Sequence, residues 1–117
     1  MASKSDTPLR MEARDREGVT VVAISGSAGM AEADKLRAMM ESLAAKGVTP
    51  VVLDLGGMDF ICSAGLGAII SGHLKSRHFQ GQIRLVNPQP AVRDLLQTTR
   101  LTKLFPVYDT VEEAVAH

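Results

Sequence analysis

The sequence predicts an α/β fold, in which a mixed, mostly parallel sheet of about five strands packs against about four helices. Apolar β-branched runs alternate with segments of helical periodicity in the order ββαβαβαβα. Strands that are joined through helices usually run parallel, with right-handed crossovers. The chain has 117 residues, of which 45% are hydrophobic, and this is enough for the one core of a single domain.

The chain begins with a polar segment and a hairpin. Residues 1–8 are small, polar or charged, so we expect a disordered tail there and one domain over residues 9–117. Apolar and charged residues alternate over residues 9–14, and a β-branched run over residues 19–24 follows a turn at Glu17-Gly18. This pattern predicts the first two strands.

The later elements are predicted from apolar spacing and turn residues. Four apolar residues recur at the i, i+3, i+4, i+7 spacing of an amphipathic helix, and Gly47 is placed to cap it. These four are Leu36, Met39, Met40 and Leu43. Residues 50–55 predict a strand buried on both faces, followed by a loop over residues 56–59. The remaining predictions are a helix from about 63 to 77, a strand over 83–86, a helix over 91–98, a strand over 107–108 and a helix over 110–116.

The helix that begins at Ser63 has a predicted core face and a stripe of small residues opposite it. At 100° per residue, the core face contains Leu66, Ile69, Ile70 and Leu74. The opposite side contains Ala64, Ala68, Ser71, Gly72 and Lys75. Small residues let another backbone approach closely, so this stripe predicts a docking face for a partner. The alternative is that it lies under a neighbouring loop of the same chain.

Ser63 and Cys62 stand at the start of this helix. Serine is a favoured N-cap residue, and a phosphate on its hydroxyl would also be stabilised by the free N–H groups there. Cys62 is either a small buried hydrophobe or a thiol activated by the same N–H groups. Gly65 and Gly67 resemble a phosphate-binding loop only weakly, because neither the P-loop lysine nor the third glycine of a dinucleotide fingerprint is present.

Composition excludes several classes of function. The net charge is zero, and three Phe and one Tyr are the only aromatic residues, so we expect no nucleic-acid partner and no membrane partner. The chain has one cysteine and no apolar run of the roughly 18 residues that a transmembrane helix needs, and its polar first eight residues lack the apolar stretch that is typical of a secretory signal. We therefore expect a cytoplasmic protein. His73, His78 and His117 lack metal-ligand spacing and no catalytic constellation is visible, so we expect no metal, no cofactor and no enzymatic activity.

The segment from Leu53 to Gly67, LDLGGMDFICSAGLG, resembles the STAS domain of bacterial anti-sigma-factor antagonists. The resemblance extends over about residues 9–116. It implies that Ser63 is phosphorylated by an anti-sigma factor that is also a serine kinase, that phosphorylation abolishes binding, and that a phosphatase restores it. The partner-binding residues that we predict are Ser63, Ala64, Ala68, Ser71, Gly72 and Lys75 on the helix, with Ser27, Gly29 and Met30 beside it. The sequence is also compatible with a homodimer.

The chain departs from the family pattern near the implied phosphorylation site. Cys62 replaces the acidic residue before the phosphoacceptor, Gly29 replaces an acidic residue after the second strand, and Ala64 replaces a second hydroxyl. An alternative is therefore a STAS scaffold that works without phosphorylation, in a signalling assembly or a lipid transport complex. A thiol-dependent or nucleotide-dependent enzyme centred on Cys62 is a further alternative of a different class.

Overall fold

A five-stranded sheet in the order β1-β2-β3-β4-β5 forms the centre of the fold. The computed structural model describes residues 8–48, 50–77 and 81–116, so the predicted tail lies outside the described residues except for Pro8. The strands are β1 (Arg10–Arg16), β2 (Val19–Ala28), β3 (Val51–Ile61), β4 (Ile83–Val86) and β5 (Val107–Tyr108). β1 pairs antiparallel with β2, and each of the other neighbouring pairs is parallel.

Four α-helices connect or follow the strands. They are α1 (Met30–Ala45), α2 (Ser63–Ser76), α3 (Pro90–Thr98) and α4 (Val111–Ala116), and a 3-10 turn covers Leu101–Lys103. The order of elements is the predicted ββαβαβαβα, so the predicted fold class is confirmed. The 3-10 turn was not predicted.

β2 and β3 are longer than the sequence pattern indicates. β3 continues through residues 56–59, where Gly56 and Gly57 predict a loop. That prediction is wrong because β2 continues beside β3 and supplies backbone partners as far as Ala28 and Ile61. A side chain at residue 57 would meet the Cβ of Ser25 at 2.7 Å, so glycine there permits the close approach of the two strands.

The core occupies both faces of the sheet. Neighbouring residues of a strand point to opposite faces, and Val21 and Val22 accordingly belong to different apolar clusters. The larger cluster includes Leu36 of α1, Ile69 of α2 and Leu96 of α3. The smaller cluster is Val21, Val52, Val86 and Ala114. Helices α1 and α2 therefore lie side by side on one face, and α4 lies on the other.

Candidate functional site

Ser63 is the first residue of α2 and is exposed to solvent. Cys62 is the N-cap residue in an extended conformation, and its N–H donates a hydrogen bond to the carbonyl oxygen of Ala28 at 2.9 Å. The N–H of Leu66 donates to the carbonyl oxygen of Cys62 at 3.0 Å, which closes the first turn of the helix. The N–H groups before Leu66 have no intrahelical partner by helix geometry, so the Ser63 hydroxyl lies beside the positive end of the helix dipole.

The solvent-facing side of α2 begins at Ser63 and continues along the helix. A Cβ placed on Gly67 would meet no atom within 4 Å, and Leu74 is 52% exposed. Ile70 and Ser71 between them are half-buried. We call these five residues, Ser63, Gly67, Ile70, Ser71 and Leu74, the Ser63 face. Leu74 was predicted in the core, and that prediction is wrong.

Two residues of the predicted stripe of small residues, Ala68 and Gly72, are buried instead of facing solvent. Ala68 is 0% exposed and belongs to the main core cluster. Gly72 is buried, and a Cβ placed on it would lie 2.9 Å from the Cβ of Met40 in α1. The prediction that Ala68 and Gly72 contact a partner is therefore wrong, because Ala68 lies in the core and the close approach that Gly72 permits is to α1. The helix is rotated by roughly a quarter turn from the predicted orientation.

Lys75 and Ala64 lie at the margins of the contact between α2 and α1. Ala64 is half-buried. Lys75 is exposed, and its Nζ lies 2.7 Å from Oε2 of Glu41 in α1. The hydrogen bond from Lys75, and then its charge, lower the pKa of the Glu41 carboxyl below its ordinary value. Both side chains are almost half-exposed, so the pair adds little to stability.

The residues predicted at the end of β2 differ in their access to solvent. Ser27 is 0% exposed, and Gly29 is buried as the N-cap of α1, where its N–H donates to Oε1 of Glu32 at 3.1 Å. The prediction that Ser27 and Gly29 contact a partner directly is therefore wrong. Met30 is 74% exposed and remains available on the surface.

The structure adds Phe60 to the candidate site. Phe60 is 37% exposed at the end of β3, and it borders a groove of about 220 Å³ between β3 and α3. The groove is lined by Asp59, Phe60, Ile61, Ala91, Val92 and Leu95. Sequence reasoning missed Phe60 because residues 56–59 were assigned to a loop. Alternation along a longer β3 would not have indicated it, because the register with β2 shifts between Met58 and Phe60, and Met58 is buried.

Histidine contributes to the core of the described structure. His73 is 8% exposed, and its ring packs edge-on against Phe105 with centroids 5.1 Å apart. Burial, and secondarily the charge of Arg77, lower the pKa of His73. His78 and His117 lie outside the described residues. Over residues 8–48, 50–77 and 81–116, no three His, Cys, Asp or Glu side chains gather where they could hold a metal ion.

The fold and the site together define an α/β domain that presents an exposed serine where a parallel strand leads into a helix. The chain belongs to the STAS domain family, whose sequence profile matches residues 10–114. The resemblance found in the sequence is thereby confirmed. Within the part of the chain that the structure describes, no helix combines the length and the apolar character needed to cross a membrane.

Relatives of the chain include proteins named for a role in sigma-factor regulation. A Bordetella bronchiseptica protein named as a candidate anti-sigma factor antagonist, BtrV, is 33% identical over 100 residues, which are 86% of each chain. The crystal structure of an anti-sigma factor antagonist from Mycobacterium paratuberculosis has a TM-score of 0.84 at 29% identity, covering 93% of this chain and 92% of that one. The Bacillus cell fate determinant SpoIIAA in its phosphorylated form shares the fold, with a TM-score of 0.72 at 22% identity, covering 93% and 97%.

Proposed function

We propose that this protein is an anti-sigma-factor antagonist that binds an anti-sigma factor with serine kinase activity, and that phosphorylation of Ser63 ends the binding. The names of the relatives support the antagonist role. The observation that carries the proposal is the position of Ser63, exposed at the start of α2 within the segment that carries the family resemblance. In this role the chain is a substrate and a binding partner, and it catalyses no reaction itself.

The surroundings of Ser63 suit a contact that is broken by charge. Met30 and Phe60 lie at the same edge of the sheet, and both are exposed apolar side chains. A partner that covers them removes water from this edge. A phosphoserine carries about 1.5 to 2 negative charges, and burying such a charge without a partner cation is costly.

The free protein tolerates the same phosphate. The N–H groups of the first turn of α2 and the helix dipole stabilise an anion at Ser63. Phosphorylation therefore weakens the complex without unfolding the domain. A phosphatase that removes the phosphate from Ser63 restores binding, so the switch is reversible.

A second candidate is a STAS scaffold that acts without phosphorylation. The observation that favours it is the loss of family carboxylates at Cys62 and Gly29, the two residues that border the Ser63 segment and the start of α1. At residue 29 a buried glycine stands where the family has an acidic residue, so no carboxylate is exposed at this position. In this case the Ser63 face binds one partner permanently, in a signalling or lipid transport assembly.

Capture from native cells tests the proposal. Wild type, Ser63→Ala and Ser63→Asp are each used as bait. Mass spectrometry then identifies the captured proteins and shows whether residue 63 carries a phosphate. We expect a kinase-type anti-sigma factor with wild type and Ser63→Ala, at least tenfold less of it with Ser63→Asp, and a phosphorylated fraction of wild type. Equal capture by all three forms, with no phosphate on wild type, would exclude the switch and favour the scaffold.

A further inference from the structure

Asp59 is an additional residue in β3 that has no counterpart in β2. Gly26 pairs with Met58 and Ser27 pairs with Phe60, so the register shifts by one residue between these two pairs. The shift leaves Asp59 as the unpaired residue of a β-bulge. Bulges bend a strand and change the direction of the residues that follow, and they are common next to functional sites.

The side chain of Ser27 holds this bulge. Its Oγ donates a hydrogen bond to Oδ1 of Asp59 at 2.7 Å, and Ser27 is 0% exposed. A buried hydroxyl needs a hydrogen-bond partner, and a carboxylate acceptor makes the bond stronger than a neutral one. The two strands are therefore joined here by a side-chain bond in addition to the backbone bonds of the sheet.

The bond lies immediately before the segment that presents Ser63. The next register pair is Ala28 with Ile61, and after it the N–H of Cys62 donates to the carbonyl oxygen of Ala28. Only three residues, 60–62, separate the bulge from Ser63. A slip of β3 by one residue would exchange the two faces of the strand, placing Phe60 inside and moving the start of α2.

We propose that Ser27 and Asp59 are a positioning pair, whose hydrogen bond fixes the end of β3 and thereby the presentation of Ser63. The purpose of this positioning rests on the proposed function, whereas the mechanical effect does not. The proposal assigns a role to Ser27 that differs from partner contact, since its side chain is entirely buried. It also explains why a carboxylate is useful at residue 59, beside a groove whose other lining residues are apolar.

Amide hydrogen exchange of the isolated protein tests the mechanical part. The reporter is the N–H of Cys62, and the reference is the N–H of Leu85, which donates to the carbonyl oxygen of Pro106 in a distant part of the sheet. The variants are Ser27→Ala, Asp59→Ala and Asp59→Asn, the last of which retains an Oδ1 acceptor. Ser76→Ala is the matched control, because Ser76 is a buried serine that donates to its own helix at the carbonyl oxygen of His73.

We expect the Cys62 amide to exchange about tenfold faster, relative to Leu85, in Ser27→Ala and Asp59→Ala. Asp59→Asn and Ser76→Ala are expected to stay within about threefold of wild type, because the first retains the acceptor and the second leaves the bulge intact. Equal acceleration at Cys62 and Leu85 would mean general destabilisation and would overturn the proposal. So would unchanged exchange in Ser27→Ala, or an Asp59→Asn variant that behaves as Asp59→Ala.

A binding measurement then separates this proposal from the proposed function. The anti-sigma factor captured by wild type is titrated with each variant. If the pair positions Ser63, the dissociation constant rises at least tenfold for Ser27→Ala and less than threefold for Asp59→Asn and Ser76→Ala. If no such factor is captured, the proposed function fails while the exchange result still decides the mechanical part. A changed Cys62 exchange with unchanged affinity would overturn the positioning of the binding site.

Discussion

Gly72 of α2 lies directly against Met40 of α1, so that a Cβ on Gly72 would fall 2.8 Å from Cε and 2.9 Å from the Cβ of Met40. Gly67 is one and a half turns earlier on the same helix, and a Cβ there would meet nothing within 4 Å. Two glycines of one helix thus have opposite environments. Gly72 is required for helix packing, whereas Gly67 leaves an open position on the Ser63 face.

This difference predicts opposite effects of the same substitution. Gly72→Ala should lower the free energy of unfolding by about 1–3 kcal/mol, because the added methyl group displaces Met40. Gly67→Ala should raise it by about 0.5–1 kcal/mol, because alanine favours the helix and has room there. Urea denaturation of both variants checks this. A stabilised Gly72→Ala variant would show that α1 and α2 are further apart than the structure places them.

We expect the partner to dock on the Ser63 face, and this can be tested at Gly67. Gly67→Arg should weaken binding of the captured anti-sigma factor at least tenfold, because it places a large cation at the centre of the Ser63 face. Unfolding free energy should change by less than about 1 kcal/mol, because the position is open and arginine favours a helix. Ala38→Arg is the control, since Ala38 is exposed and lies about 200° around α1 from Met40, the residue that contacts Gly72 of α2. Binding by Gly67→Arg at wild-type affinity would exclude this face as the docking surface.

The orientation of α2 shows why part of the site could not be predicted from the sequence. The number and order of the elements follow from apolar periodicity, and the predicted bounds of β4 and β5 agree with the structure. The rotation of α2 does not follow from it, because this helix buries Ala68 and Ile69 in the main core cluster and packs on α1 through Gly72. Small residues fit either an external partner or a neighbouring helix. Only the position of α1 decides between them.

The extension of β3 has a similar cause. A Gly-Gly pair is a turn signal in the local sequence, but Gly57 pairs with Ser25 of β2, so this segment stays in the sheet. Tertiary pairing therefore overrides the local preference. The place of Ser63 at the start of α2, in contrast, agrees with the sequence pattern.

His73 predicts a dependence of stability on pH. Burial lowers the pKa of His73 in the folded protein below its ordinary value of 6.5, so the unfolded chain binds a proton more readily. Stability should therefore be highest above pH 6.5 and fall as the pH drops through 6.5 towards the lower folded pKa, by at most about 1.4 kcal/mol per pH unit. His73→Leu replaces the ring by an apolar side chain, so it should remove this contribution to the pH dependence of the free energy of unfolding. The comparison is made by urea denaturation between pH 7.5 and 5.5.

The quantity to compare is the difference in the free energy of unfolding between wild type and His73→Leu at each pH. Titration of His78, His117 and the carboxylates is common to both and cancels. A His73→Leu variant with the same slope as wild type would show that His73 does not resist protonation in the fold.

The final prediction restores the family's carboxylate at residue 62. Cys62 has N-cap geometry but makes no side-chain cap hydrogen bond. Asp and Asn are both good N-caps, so Cys62→Asp and Cys62→Asn should each raise the free energy of unfolding by about 0.5–2 kcal/mol. Urea denaturation of both variants checks this effect, which does not depend on any kinase.

Phosphorylation of Ser63 should separate the two variants, because only Cys62→Asp adds a charge beside the hydroxyl. A carboxylate there accepts a hydrogen bond from the hydroxyl and orients it, and it also repels the incoming phosphate. We expect orientation to dominate, so that the captured kinase modifies Ser63 about tenfold faster in Cys62→Asp and at the wild-type rate in Cys62→Asn. Intact-mass spectrometry of each form, expressed natively with the kinase present, measures the phosphorylated fraction. Absence of phosphate from all three forms would reject the switch and leave the phosphorylation-independent scaffold.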